Sequence, residues 1–202
     1  MSQTNGWLRL VESNPGHSQW YIDRFKGLAD SGADLHGEGR LIDAMVPRGS
    51  RVLDAGCGFG RVGSYLSAVG HDVVGVDIDP VLIAAAQEQT PKARWIHSDL
   101  AELDLAAHGI TDGFDIVVCA GNVMTFLAVE TRRPALRRMS AQLRAGGRVV
   151  VGFGAGRDYD FAEFLSDAAE SGLTPDVLLS TWDLRPFAEG AEFLVAILRP
   201  AS

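Results

Sequence analysis

Two carboxylates and a run of glycines carry the chemistry legible in this chain. Arg51-Val-Leu-Asp-Ala-Gly-Cys-Gly-Phe-Gly-Arg61 places Asp54 at the end of an apolar run with a glycine turn directly after it. About one helix later, Val73-Val-Gly-Val-Asp77 ends a second apolar run on another acid. Short apolar runs bounded by glycine read as buried strands, and open α/β sheets bind ligands where such strands end. Glycines let the backbone approach a ligand closely, while a buried acid needs donors to offset its desolvation. Together these are the parts of a nucleoside site.

The glycines admit two ligands. Gly58-x-Gly60-x-x-Gly63 with Asp77 matches the dinucleotide fingerprint, which points to an NAD-dependent oxidoreductase. In that class a pyrophosphate sits on the helix N-terminus after the turn, where the charge of Asp54 would repel it. An acid at the mouth of the turn suits a cationic ligand without phosphate, such as a sulfonium or an amine.

Five segments resemble, in order and spacing, the successive motifs of class I methyltransferases dependent on S-adenosylmethionine, in their small single-domain bacterial form. They are Val52-Leu-Asp-Ala-Gly-Cys-Gly-Phe-Gly60, Val74-Gly-Val-Asp-Ile-Asp79, Ile96-His-Ser-Asp-Leu100, Phe114-Asp-Ile-Val-Val-Cys-Ala-Gly-Asn122 and Leu143-Arg-Ala-Gly-Gly-Arg-Val-Val. The resemblance implies S-adenosyl-L-methionine as cofactor. It assigns Asp54, Gly56, Cys57, Gly58 and Gly60 to the methionine end, Asp77 to the ribose hydroxyls and Ile78 to the adenine face. Asp99 either accepts from the adenine amino group or caps the next turn, and Leu100 offers a backbone donor to the ring. Ala120 and Gly121 are small enough to leave room for both reactants. Asn122 either orients a substrate or caps the helix that follows. A protein that binds the same cofactor without turnover, acting on a partner, is the alternative within this resemblance.

The elements that must position these residues follow from periodicity and breakers. Helices are expected over His17–Asp30 and Leu35–Val46, then Gly60–Val69, Val81–Gln89, Thr131–Leu143 and Phe161–Glu170. Strands are expected over Val52–Ala55, Asp72–Val76, Ala93–His97, Phe114–Cys119 and Arg148–Phe153, with Ala145-Gly-Gly147 as the stop of the preceding helix. Leu173–Trp182 and Glu192–Leu198 read as two further strands that pair antiparallel through a hairpin at Pro186–Gly190. Asp79-Pro80 is a helix start, with the acid as cap. Alternation of strand and helix predicts a doubly wound α/β sheet with helices on both faces. The resemblance supplies its form: seven mostly parallel strands, the last antiparallel. One domain over 1–202 is expected, with a core over 48–202. Trp20, Tyr21 and Phe25 in the helices of 1–47 read either as core packing or as a lid over the cofactor.

The chain has 202 residues, 47% apolar and 22% charged, an ordinary globular balance. Its net charge of −8 argues against a nucleic-acid substrate, since phosphate-backbone binding rests on clustered Lys and Arg. The run Arg132-Arg133 with Arg137-Arg138 reads as a solvated helix face with acidic partners. No apolar run reaches bilayer length, and the polar start Met1-Ser-Gln-Thr-Asn-Gly lacks the order of a signal peptide, so a cytoplasmic protein without a membrane partner is expected. Two cysteines and five scattered histidines show no metal-ligand spacing. The acceptor is expected to be a small molecule, with Tyr21, Asn122, Arg157 and Trp182 as candidate substrate contacts and Arg157 placed to receive an anion. Arg185 joins them on the same loops. No side chain is assigned a catalytic role; His17, Tyr21, Asp158 and Tyr159 are candidate bases by position alone.

Overall fold

Each expected apolar run forms a strand, and strands with helices on both sides are buried on both faces. The computed structural model describes residues 5–201; Met1 to Thr4 and Ser202 lie outside them. The strands are β1 (Arg51–Ala55), β2 (Asp72–Asp77), β3 (Arg94–His97), β4 (Phe114–Cys119), β5 (Leu143–Gly154), β6 (Leu173–Leu179) and β7 (Phe193–Pro200). They form one sheet in the order β3-β2-β1-β4-β5-β7-β6. The first five run parallel, and β7 is antiparallel to both its neighbours. Full burial of β4 explains why its residues read as a continuous apolar run rather than an alternation.

Among the described residues eight α-helices accompany the sheet: α1 (Gly6–Ser13), α2 (His17–Asp30), α3 (Gly37–Met45), α4 (Arg61–Ala68), α5 (Pro80–Gln89), α6 (Val123–Phe126), α7 (Val129–Ala141) and α8 (Phe161–Glu170). Successive strand residues alternate between two cores, as the pleat requires. Leu53, Val117 and Val151 pack with Leu136 of α7 and Phe164 of α8. Val52, Ile116 and Val150 face the other way, toward Ile42 of α3 and Leu66 of α4.

The structure departs from expectation in five places. Helix α1 is additional: Asn5 caps it by accepting from Trp7 N at 2.8 Å, and it ends just before Pro15. Helix α7 begins earlier and stops at Ala141, keeping Pro134 inside it. Leu143 is already a strand residue opposite Phe114, and the Ala145–Gly147 turn is absorbed as a register shift within β5 instead of closing the helix. Strand β6 ends at Leu179, where a bridge to Pro186 begins the return. Arg132 departs furthest from the solvated face expected of it. It is buried against α8, with Nη1 on Glu163 Oε1 at 2.9 Å and its guanidinium 3.9 Å above the Tyr159 ring. Arg133 keeps the acidic partners expected, Asp167 and Glu170. Among the described residues no helix is long and apolar enough to cross a membrane.

Candidate functional site

The parallel strands β1, β2 and β4 end at one edge, and the turn after β1 is tied there by backbone. Gly56 N and Cys57 N both donate to Val76 O, at 2.8 and 3.0 Å. Gly56 and Gly58 take φ of +79° and +55°, a region open chiefly to glycine. Asp54 is buried, and its Oδ2 accepts from Gly63 N at 2.8 Å, so the acid also closes the first turn of α4. Burial pushes its carboxyl up to about 7, against the pull of the Gly63 N–H and the Arg61 charge. Asp77 clamps the turn from β2: Oδ2 accepts from Gly58 N at 2.8 Å and Oδ1 from Asp79 N at 2.9 Å. Burial raises Asp77 to about 6, opposed by those same two N–H groups.

The glycines divide by what surrounds them. A Cβ on Gly58 would point into open space, meeting only Tyr21 Cε1 at 3.8 Å. A Cβ on Gly60 would lie 2.8 Å from the Trp95 ring, and one on Gly63 would lie 2.9 Å from it. A Cβ on Gly75 would overlap the same indole. Three glycines from two elements and a turn thus make the slot for one tryptophan. Gly60, grouped with the cofactor turn on resemblance, faces that slot and does not line the cavity described next.

A cavity of about 800 Å³ lies over these strand ends. Asp54, Gly56, Cys57 and Gly58 line it from β1, Asp77 and Ile78 from β2, Asp99 and Leu100 from β3, and Ala120 and Gly121 from β4. Tyr21, Asn122, Arg157 and Trp182 line it too. Asp99 caps the short turn after β3, its Oδ1 accepting from Ala101 N at 2.8 Å. Asn122 does not cap α6: with φ at +67°, it turns its Oδ1 to accept from Gly154 N at 2.8 Å, tying the end of β4 to β5. Of the candidate bases, His17 and Tyr21 reach the cavity, and burial raises the Tyr21 hydroxyl. Asp158 and Tyr159 do not; Tyr159 is buried, with its hydroxyl donating to Asp167 Oδ2 at 2.7 Å. Arg185 also stands off the cavity. Among the described residues no cluster of three or more His, Cys, Asp or Glu could hold a metal.

The first three helices wall the cavity opposite the strands. Tyr21 packs with Trp7, Phe25 and Phe59, ring centroids 4.9–6.0 Å apart. Arg61 grips Glu38 through Nη2 and Nη1, at 2.5 and 2.9 Å, which joins α3 to the start of α4. Asp79 is the fastening on the other side. Its Oδ1 caps α5 at Val81 N, while its Oδ2 accepts from Trp7 Nε1 at 2.8 Å and Ser18 Oγ at 2.5 Å. Trp7, Glu38, Phe59, Arg61 and Phe126 are cavity residues that sequence reasoning missed. Phe59 and Arg61 sat inside the quoted motif, whereas Glu38 and Trp7 carried no local signal.

A glycine turn clamped between two buried acids at the carboxyl ends of a doubly wound sheet defines a nucleoside-binding α/β protein. Comparison with known proteins narrows the class. Residues 52–147 match a family described as a methyltransferase domain. The crystal structure of a TehB-like S-adenosylmethionine-dependent methyltransferase from Corynebacterium glutamicum is 50% identical, with a TM-score of 0.88 over 93% of this chain and 100% of that one. A ribosomal protein L11 methyltransferase of Symbiobacterium thermophilum is 31% identical over 64% of this chain. A probable S-adenosyl-L-methionine-dependent methyltransferase TehB of Haemophilus influenzae is 32% identical over 58% of it. The chain spans 40% of the length of each of these two curated relatives. It belongs to the S-adenosylmethionine-dependent methyltransferases, as its motifs implied, and its cofactor is S-adenosylmethionine.

Proposed function

We propose that this protein transfers a methyl group from S-adenosylmethionine to a small-molecule acceptor, using residues 48–202 as a single cofactor-binding core and the helices before them as the facing wall. The observation that carries this reading is the cavity of about 800 Å³ between the strand ends and α1–α3, within the range of small-molecule sites and walled on both sides. A net charge of −8 supports a small acceptor over nucleic acid.

The residues present fit the cofactor. Asp54 keeps Oδ1 free of protein partners among the described residues and sits beside the turn, so its charge would face the cationic methionine end together with Gly56, Cys57 and Gly58. Asp77 uses one lone pair of each oxygen on backbone N–H groups, which leaves the others for the two ribose hydroxyls. Ile78 and Leu100 offer apolar surface to the adenine, Asp99 an acceptor at its edge, and Ala120 and Gly121 space where the reactants meet. When bound, S-adenosylmethionine supplies an electrophilic methyl group on a sulfonium. The chain's own part is alignment and exclusion of water: Asn122 is held in place by Gly154, and Tyr21 covers the turn from α2. Tyr21, Asn122, Arg157 and Trp182 are the proposed contacts to the acceptor.

Thermal shift tests the cofactor. S-adenosylhomocysteine should raise the melting temperature and NADH should not. The reverse pattern would return the chain to the oxidoreductase reading. Turnover tests the enzyme: radiolabelled methyl should pass to a component of a small-metabolite pool, and transfer only to protein or RNA would defeat the small-acceptor assignment.

A further inference from the structure

Some charges on the cavity wall are paired with an opposite charge. Arg61 is held by Glu38, and Asp34 by Arg40. Two arginines, Arg24 and Arg157, line the cavity without a carboxylate in ion-pair range among the described residues. Arg24 lies over the Phe25 ring, and its charge opposes, without reversing, the rise that burial imposes on the Tyr21 hydroxyl, which sets it on the α2 side near the Gly58 turn.

Arg157 belongs to a different wall. The chain from β5 passes Gly152, whose missing side chain admits the Trp182 indole, then Gly154, which donates to Asn122 and pairs with Phe193. Three residues on it reaches Arg157. Trp182 and Phe193 stand 6.3 Å apart between ring centroids and are inclined at 58°, giving this wall two aromatic faces. Arg157 is exposed and lines the same cavity as these two rings, which gives that cavity a cationic anion receptor and an apolar surface.

We propose that the methyl acceptor is a small carboxylic acid with a planar apolar body, its carboxylate paired with Arg157 and its body against Trp182 and Phe193. The inference rests on the cofactor assignment above. A single guanidinium matches the single charge and two oxygens of a carboxylate. Among the described residues no second cation lines this wall, so a phosphate dianion would leave one charge unmet.

Calorimetry on the full chain saturated with S-adenosylhomocysteine tests it, with indole-3-acetate, indole-3-acetamide and phenyl phosphate as probes. The acid should bind at least about tenfold more tightly than its amide, the margin of a charge-assisted pair. Arg157→Gln should level the two while leaving affinity for S-adenosylhomocysteine within about twofold, and Arg157→Lys should keep part of the preference. Equal binding of acid and amide, tighter binding of phenyl phosphate, no binding of the acid at millimolar concentration, or an Arg157→Gln loss that falls on S-adenosylhomocysteine would each overturn the inference. Wild-type protein that fails to bind S-adenosylhomocysteine would strike the cofactor reading first, and this one with it.

Discussion

Cofactor affinity should depend steeply on pH, because the acid proposed to face the cationic end of S-adenosylmethionine is half protonated near neutrality in the free protein. Burial holds Asp54 at about 7, against 3.8 for the ordinary side chain. A cationic ligand favours the ionised form, so binding must expel a proton whenever the pH lies below that value. From pH 8 to pH 5.5 the ionised fraction of a group titrating near 7 falls from about nine tenths to about 3%, and affinity falls with it by about thirtyfold. The same burial acts on the free protein with a definite sign. Because the folded value lies above the unfolded one, the penalty is absent below about pH 4, grows as pH rises and is complete above about pH 7, on the order of 4 kcal/mol. The assay is calorimetric titration of S-adenosylmethionine between pH 5.5 and 8 in buffers of different ionisation enthalpy, which counts released protons. Asp54→Asn should make the profile shallower, leaving the part at its acid end that Asp77, raised to about 6, contributes. Wild-type affinity constant within twofold over that range, or an Asp54→Asn profile as steep as wild type, would refute the reasoning.

Three further expectations follow from named contacts. Asp77→Asn can accept only one of the two N–H groups that Asp77 now takes, so the free protein should lose about 1–3 kcal/mol and cofactor affinity should drop as well; unchanged denaturant midpoints would remove the clamp from the account. Asp79→Asn can keep the cap on Val81 through one oxygen while presenting an amide to Trp7 and Ser18; hydrogen exchange should quicken in α1 and α2 but not in α5, and the opposite distribution would contradict the fastening described. Gly75→Ala would drive a methyl into the Trp95 ring and should cost about 1–3 kcal/mol by chemical denaturation, with most of the loss recovered in a Gly75→Ala, Trp95→Leu double variant; strict additivity of the two changes would exclude the slot.

What the sequence disclosed was whatever repeats at short range. Buried strands announce themselves as apolar runs, and Asp54, Asp77 and Asp79 each stood at a strand end or helix start that local rules can read. Contacts between distant segments left no such trace. The eight residues of α1 are too few for a strong period and lean on Asp79, 72 positions away from Trp7. Arg132 reads as surface in any window of its own helix, and only the approach of α8 supplies the acid and ring that permit its burial. Asn122 lies next to a helix start, which favours capping locally, yet Gly154 across the sheet claims its oxygen. Gly60 shows the same limit from the other side: it stands in a glycine motif, but the ring that its missing side chain admits, Trp95, lies far along the chain.

That indole bears on how positions in this family can change together. Gly63 and Gly75 have no positive φ, so nothing in their backbone demands glycine; the room taken by Trp95 does, with Asp54 Oδ2 also close to Gly63. Homologues with a small residue at the position of Trp95 should therefore tolerate side chains at both places, and the spacing that imitates a dinucleotide fingerprint would dissolve with the acids Asp54 and Asp77 still in place. In this chain the spacing Gly58-x-Gly60-x-x-Gly63 is partly a record of a tryptophan's width.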